Sequence, residues 1–538
     1  MDCFGSPRSA TLGAFSPSMT ASPSGRNTAD RIFLQSLVIT TLIRAVMAAV
    51  VPLTGDEAYF VLWGEHLDFG YYDHTPMAGW WLGAVLTLGK SVWLMRLPAL
   101  LTTIAVAVLI WRVARGFDAE KAGWIGALYL WSPHSVLNFL TTTDTPLLLF
   151  SSLAGLFVYR AARDGRVADY LLTGLFIGLA FLSKYFAVLL GVGIALLLLG
   201  FCGRPRWGGV LLVLVGALPS IAINVAWNYE HGWPNIMFNL YNRTRDAGFS
   251  LGNPLAFIAV SVLPLGPIAW QLFKPRAAGR AAWREAWRAW RENGAVAFVV
   301  CFAVSMALLL LVSFQKTVGA HWVLGFFPLF FIALVSLFSA EALRRMFRPM
   351  VVFGASLCSV GMIAVFLPVE ILRGHKSYDS VVLGTHMDEV LAALEPHRAE
   401  YVLTTPSYAK SAMLSFFGGT YVPVLGQGSY HGRQDDFITD LREFDGRKIM
   451  VLCDTPARVE RSRAWFERSE VETISVRGAE FSVVLGDGFQ FATYRDTVIE
   501  PLVARYYRMP AWLARISKPS FFLERYGLAA TDAQSGAR

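Results

Sequence analysis

The chain is 538 residues long, 55% hydrophobic and only 16% charged, with a formal net charge of +8. A soluble domain carries roughly 25% charged residues, so this composition excludes an ordinary soluble globular protein and points to a membrane. The basic residues fall in short blocks between apolar runs, which fits membrane loops and argues against a nucleic-acid binder.

Residues 1–30 are rich in Ser, Pro, Gly and Thr, have no apolar stripe and are expected to form a disordered cytoplasmic tail. They lack the basic segment followed by a short apolar one that marks a cleavable signal peptide. The first apolar run, about residues 32–51, follows Arg26 and Arg31, which favour a cytoplasmic N-terminus. From Val51 to Gly89 there is no Lys or Arg, while Asp56, Glu57, Glu65, Asp68, Asp73, His66 and His74 all fall there. This acidic, aromatic loop, about 52–90, is then outside.

Later loops obey the same orientation. Runs at about 95–111 and 122–139 enclose the basic Arg112, Arg115 and Lys121 and lead out to Thr143-Asp144-Thr145-Pro146. The return run ends at Arg160, Arg163 and Arg166, inside. Shorter runs, about 168–183 and 185–201, meet at an outer turn, Ser183-Lys184-Tyr185, and precede Arg204 and Arg206. A run at about 208–226 leads out to Trp227-Asn228, with Arg243 and Arg245 beyond. The run at about 252–273 returns to the most basic loop, Lys274 to Arg291. Runs at about 294–313 and 320–339 enclose Lys316 and His321 outside, and a last run, about 350–368, exits. The count is about eleven spans, each near the ~20 residues that cross ~30 Å of hydrocarbon. Helices are the expected form, since backbone groups in lipid must be satisfied within the segment.

After about residue 372 the apolar runs shorten to strand length, at 401–404, 449–452 and 481–485. A helical pattern at 455–468 and a short strand at 473–476 lie between the last two. Strand–helix–strand predicts a small α/β domain. The expected organisation is a tail (1–30), a polytopic helical membrane domain (31–370) with its catalytic loop at 52–90, a periplasmic α/β domain (371–517) and a polar tail (518–538). Cys3, Cys202, Cys301, Cys358 and Cys453 show neither a CxxC pair nor metal-ligand spacing.

Chemistry is expected in the outer loops. Asp56 and Glu57 are adjacent carboxylates at a membrane edge: an ordinary acidic loop end, or a general base whose neighbour raises its pKa. Asp73-His74 is a second acidic site, or a turn in which Asp73 caps a helix begun at Pro76. Asp144, two residues before Pro146, reads as an N-cap that can still face the same cavity. Lys184, Arg243, Arg245 and Lys316, with His321 nearby, are cations suited to a lipid-linked phosphate, or to snorkelling and surface ion pairs. Lys184 lies between two apolar runs, where an unpaired ammonium is costly, so a phosphate partner is attractive.

Gly55-Asp56-Glu57-Ala58-Tyr59, Gly70-Tyr71-Tyr72-Asp73-His74-Thr75-Pro76, Thr142-Thr143-Asp144-Thr145-Pro146-Leu147, Leu182-Ser183-Lys184-Tyr185, Trp227-Asn228 and His321-Trp322 follow one another along residues 30–370. In that order they resemble the bacterial membrane glycosyltransferases of the GT-C superfamily, notably the dolichyl-phosphate-mannose protein mannosyltransferases and the lipid A aminoarabinose transferases. One departure is Thr75, where this group is expected to carry a second Pro. The resemblance implies a polyprenyl-phosphate-linked sugar donor, a site on the non-cytoplasmic face of the bacterial inner membrane and inversion at the anomeric carbon. It implies a lipid, glycan or protein acceptor and no nucleotide-sugar domain. It makes Asp56 the catalytic base with Glu57 beside it. Tyr59, Tyr72, Asp73, His74, Asp144, Lys184, Tyr185, Arg243, Lys316 and His321 become donor- or acceptor-binding residues. Some relatives bind a divalent metal, but no ligand set here compels one and no cofactor is expected. The competing reading is a transporter or flippase of polyprenyl-linked sugars. Paired repeats and mid-membrane polar positions would mark that class, whereas here the polar motifs gather on one face.

Overall fold

The computed structural model describes residues 23–245, 248–273, 279–427, 433–518 and 521–528. Cys3, Lys274, Arg276, residues 1–22 of the expected N-terminal tail and residues 529–538 of the C-terminal one lie outside the described residues. Two compact units form, neither continuous in sequence. A helical unit takes Met1–Val51, Trp93–Ala222 and Ala247–Ala364, and a mixed unit takes Pro52–Val92, Ile223–Asp246 and Val365–Arg538.

Among the described residues six helices are long and apolar enough to cross a membrane. They are α1 (Pro23–Val50), Val92–Phe117, Asp144–Asp164, Trp207–Glu230, Val296–Ser313 and Ala340–Phe366. Gly252–Leu265 and Pro267–Phe273, bent by 109°, make a seventh if taken as one span. The sequence suggested eleven, and the remaining apolar runs hold shorter helices: Ala119–Trp131, Val167–Phe181, Ala187–Phe201 and Phe327–Ser336. At ~1.5 Å per residue, the 15 residues of Val167–Phe181 reach only about 22 Å. The reason is local. An apolar run also counts the residues of its turns: Ser132-Pro133 interrupts one of these runs and the separate turn Ala320–Val323 another, while the break at Ser183-Lys184 falls where the sequence placed a turn.

The first helix starts inside the stretch expected to be disordered, at Pro23. Its early turns are tied down. Asp30 accepts hydrogen bonds from Trp111 Nε1 at 2.9 Å and Arg115 Nη1 at 2.7 Å. At its other end, buried Arg96 donates to the carbonyls of Ala48 at 3.0 Å and Val51 at 2.7 Å. Those carbonyls have no partner within a helix that stops there, so the arginine terminates the span where the acidic loop begins.

Small residues set one close helix crossing. A Cβ at Gly174 would lie 2.1 Å from the Val213 carbonyl oxygen, and one at Gly216 would lie 2.3 Å from the Leu171 carbonyl oxygen. One turn further on, a Cβ at Gly178 would meet Ser220 Oγ at 2.8 Å. Without a hydrophobic drive between helices in lipid, such backbone-to-backbone packing is the main source of association.

The mixed unit holds one four-stranded sheet among the described residues: β1 (Val402–Thr404), β2 (Ile449–Cys453), β3 (Phe466–Val476) and β4 (Ala479–Phe489), ordered β1-β2-β4-β3. Strand β1 runs parallel to β2, and the other neighbours are antiparallel. Every residue of β2 is buried, hence its unbroken apolar sequence. Arg477 and Gly478, with φ of 53° and 81°, join β3 to β4 as a two-residue hairpin of the type that needs positive φ at both positions. The helix expected at 455–468 ends at Arg463, because Phe466 pairs with Phe489 and is drawn into the sheet. Beyond residue 518, Phe521–Tyr526 is helical and Tyr526 is buried.

Packed in this unit are α2 (Gly55–Glu65), α3 (Met77–Leu86) and the helix Tyr408–Gly418. A Cβ on Gly55 would meet that of Ala409 at 2.8 Å.

Replacing Gly174 by Val should destabilise the helical unit by about 1–3 kcal/mol, the usual cost of overpacking. Thermal unfolding of detergent-solubilised protein measures it; an unchanged midpoint would show that this crossing tolerates side chains.

Candidate active site

The start of α2 separates its two adjacent acids. Thr54 is the N-cap, and its Oγ1 accepts from the Glu57 backbone N–H at 3.2 Å. Glu57 Oε2 in turn accepts from the Thr54 backbone N–H at 3.1 Å and hydroxyl at 3.2 Å. This capping box occupies the buried Glu57 carboxylate with holding the helix end. Asp56, one residue earlier, lies exposed on the same first turn, where the helix dipole favours its negative charge.

Aromatic packing carries the next turn. Tyr59 sits 4.7 Å from the Tyr408 ring and 5.1 Å from Trp63, and Trp63 stacks on Tyr71 at 4.6 Å. The Tyr71 hydroxyl donates to the Trp63 carbonyl at 2.9 Å, so the loop after α2 folds back on it. Gln434 then spans both parts. Its backbone N–H donates to Tyr59 Oη at 2.9 Å, and its side-chain oxygen accepts from the Tyr72 N–H at 2.8 Å. Two further amides hold the loop: Asn235 donates to the Tyr71 carbonyl at 3.0 Å and Asn239 to the Asp73 carbonyl at 3.2 Å.

Asp73 therefore caps no helix; α3 begins at Met77 with no side-chain cap. Its carboxylate stands 3.3 Å from His74 Nδ1 without hydrogen-bond alignment. Arg243 is half-buried over the Phe238 ring. Burial draws its guanidinium down from the usual range, and the Asp73 carboxylate pulls it back up.

Electrostatics identify a third acid. Burial, then Asp56, Asp73 and Asp435, push the Tyr408 phenol up to about 12. Burial, then Asp73 and Asp435, raise Tyr59. Asp73 and Asp435 thus act on both phenols, and Asp56 on Tyr408. Asp435 is buried and accepts from the Tyr421 hydroxyl at 3.1 Å. Burial raises its pKa to about 6, against the pull of Arg433. Arg433, also buried, stands 3.4 Å from Asp436. Tyr408 and Gln434 escaped the sequence reading because their partners in α2 and its loop lie more than 300 residues away, and Arg433 and Asp435 flank Gln434. The available signal was an acidic pair, Asp435-Asp436, set against the apolar Phe437-Ile438.

The other expected residues belong to the helical unit. Asp144 is the first residue of its helix rather than its cap, and both its oxygens lie 2.8 Å from Lys184 Nζ. The buried ammonium thus has a carboxylate partner, which replaces the expectation that it awaits a phosphate unpaired. Lys184 also sits over the Phe186 ring, which packs 4.3 Å from Trp322 and so brings the turn bearing His321 alongside. Tyr185 packs on Phe181 at 5.1 Å. Lys316 is half-buried just beyond the helix Val296–Ser313. The structure thus gathers Asp56, Glu57, Tyr59, Tyr72, Asp73, His74 and Arg243 in one unit, and Asp144, Lys184, Tyr185, Lys316 and His321 in the other. Among the described residues no group of three or more His, Cys, Asp or Glu is disposed to hold a metal ion.

Comparison with known proteins agrees with these motifs. Residues 73–227 match the family described as dolichyl-phosphate-mannose-protein mannosyltransferase. The chain is 30% identical over 282 residues to the lipid A galacturonosyltransferase RgtD of Rhizobium johnstonii, covering 50% of this chain and 56% of the relative. It therefore spans about half the length of that relative. A crystal structure of ArnT from Cupriavidus metallidurans bound to undecaprenyl phosphate superposes with a TM-score of 0.58 at 16% identity, covering 84% of this chain and 97% of that one. At that identity the likeness is one of fold. The resemblance to the GT-C membrane glycosyltransferases is borne out, and the fold is that of a multi-pass membrane protein.

Asp144→Asn should cost about 3–5 kcal/mol, because it strands a buried ammonium, while Asp144→Asn with Lys184→Met should recover most of the loss. Thermal unfolding of the two variants tests the pair, and equal losses would refute it. Asp435 gives a pH signature. Its folded pKa of about 6 lies above the ~3.9 of an unfolded aspartate, so the folded state binds the proton more tightly. Stability is then fullest at low pH and falls as pH rises from about 4 to about 6. Asp435→Asn should gain on the wild type across that window and run parallel to it above.

Proposed function

We propose that this chain, similar in motifs and fold to the GT-C membrane glycosyltransferases, transfers a sugar from a polyprenyl-phosphate donor to an envelope acceptor. A glycolipid of the lipid A kind is the preferred acceptor. The reaction inverts the anomeric carbon on the periplasmic face of the bacterial inner membrane, with the N-terminus cytoplasmic and eleven crossings in all. The name of the matched relative and the lipid bound by the fold neighbour support the acceptor and donor classes. The observation that carries the proposal is the division of labour at α2. Glu57 is consumed by the cap, while Asp56 stays exposed in a rigid first turn beside Tyr408.

Asp56 takes the proton of an acceptor hydroxyl as the oxygen attacks the anomeric carbon. The bond from that carbon to the phosphate oxygen breaks on the opposite face, and its electron pair leaves with the polyprenyl phosphate. Negative charge grows on that oxygen, so cationic side chains there lower the barrier. Arg243, in the same unit as Asp56 and drawn on by the Asp73 carboxylate, is assigned to the donor phosphate. No step calls on a metal ion.

Membranes carrying Asp56→Asn should lose transfer by about 10²–10⁴-fold, the range of a general base, with expression and donor binding intact. Glu57→Gln preserves the cap and should keep activity. Unchanged transfer in Asp56→Asn would remove the base. Donor movement across vesicles with no transfer at all would mark a transporter.

A further inference from the structure

The helix Gly279–Asn293, in the helical unit, is absorbed by none of the chemistry above. Its 15 residues are too few to span a membrane and too charged to enter one. On one side Ala286 and Trp290 are buried in the unit's core, and Trp290 Nε1 donates to the Ala333 carbonyl at 3.0 Å. The helix is therefore anchored in place. At 100° per residue the next sector holds Trp283 and Trp287, which are 48% and 37% exposed. The sector beyond holds Arg284, Arg288 and Arg291, all exposed and with no ion-pair partner among the described residues. Glu285 and Glu292 lie further round, away from the tryptophans.

Passing round the helix, the order is core, tryptophan, arginine, acid. That is the order of environments met by a helix lying flat where a protein wall meets a bilayer: protein, acyl boundary, headgroups, water. A second aromatic supports the same level. Trp287 packs 6.0 Å from Phe201, and Trp207, six residues beyond Phe201, is 69% exposed with Arg204 between them. Exposed tryptophans with arginines beside them mark the membrane interface.

We infer that the helix Gly279–Asn293 lies in the membrane interface and binds the headgroup phosphates of anionic phospholipids through Arg284, Arg288 and Arg291. Guanidinium groups suit phosphate because they offer paired donors. Spacings of four and three residues keep all three on one strip. The inference is independent of the transferase reading, since it uses none of the residues assigned there.

Native mass spectrometry of the full chain, offered phosphatidylglycerol and phosphatidylcholine at equal concentration, tests it. The wild type should retain phosphatidylglycerol preferentially. Arg284→Gln/Arg288→Gln/Arg291→Gln should lose at least tenfold of that preference, at about fivefold per arginine near an anionic surface. Trp283→Ala/Trp287→Ala should weaken retention of both lipids. A measurement on the unaltered protein guards against misfolded variants: the preference should shrink as ionic strength rises. No preference in the wild type, no loss in the triple variant, or indifference to salt would overturn the inference. Displacement by inorganic phosphate would also do so, by pointing to a free-anion site.

Discussion

One glutamine holds the geometry on which the candidate site depends. Gln434 bonds Tyr59 through its backbone and the Tyr72 N–H through its side chain. Asp56 precedes Tyr59 by three residues on α2, and Asp73 follows Tyr72 directly. Two acids from separate stretches of the loop are therefore positioned by a segment of chain more than 360 residues later. Gln434, Tyr59 and Tyr72 are all buried, so neither hydrogen bond can be exchanged for water at low cost. The acidic loop and the C-terminal sheet consequently belong to one compact unit.

Around that clasp the polar groups are packed densely enough to shift one another. Arg433, Asp435 and Asp436 are all buried, and Tyr421, Tyr494 and Tyr507 press on them. Burial raises every one of these phenols; the Tyr421 hydroxyl donates to Asp435 at 3.1 Å, and that of Tyr494 accepts from the Gly426 N–H at 2.7 Å. A buried network of this kind is strict, since losing one member strands the others. Its natural role is to hold a shape, and the shape it holds is the surface of α2 and its loop.

The parts readable in the sequence were those whose signals are local. Apolar runs announced helices at each expected place, and strand-length runs announced β1, β2 and β4. The acidic loop stood out by its lack of Lys and Arg. Helix length was less readable, because hydropathy does not show where Ser132-Pro133 ends a helix within an apolar run. Charge pairing was not readable at all. Asp144 has cap-like sequence context, yet it serves Lys184 forty residues on, and only the fold brings those two groups to 2.8 Å.

The same contrast explains how two neighbouring carboxylates acquire different work. In sequence Asp56 and Glu57 are equivalent acids; on a helix they point about 100° apart. Thr54 breaks the tie. Its side chain selects the residue three positions on, and the longer glutamate reaches back to the cap backbone as an aspartate one atom shorter does less well. The carboxylate that stabilises the helix end is thereby withdrawn from solvent, while the other stays exposed at the positive pole of the same helix. The capping box thus fixes the first turn of α2 through Glu57 and leaves the Asp56 carboxylate out of the cap.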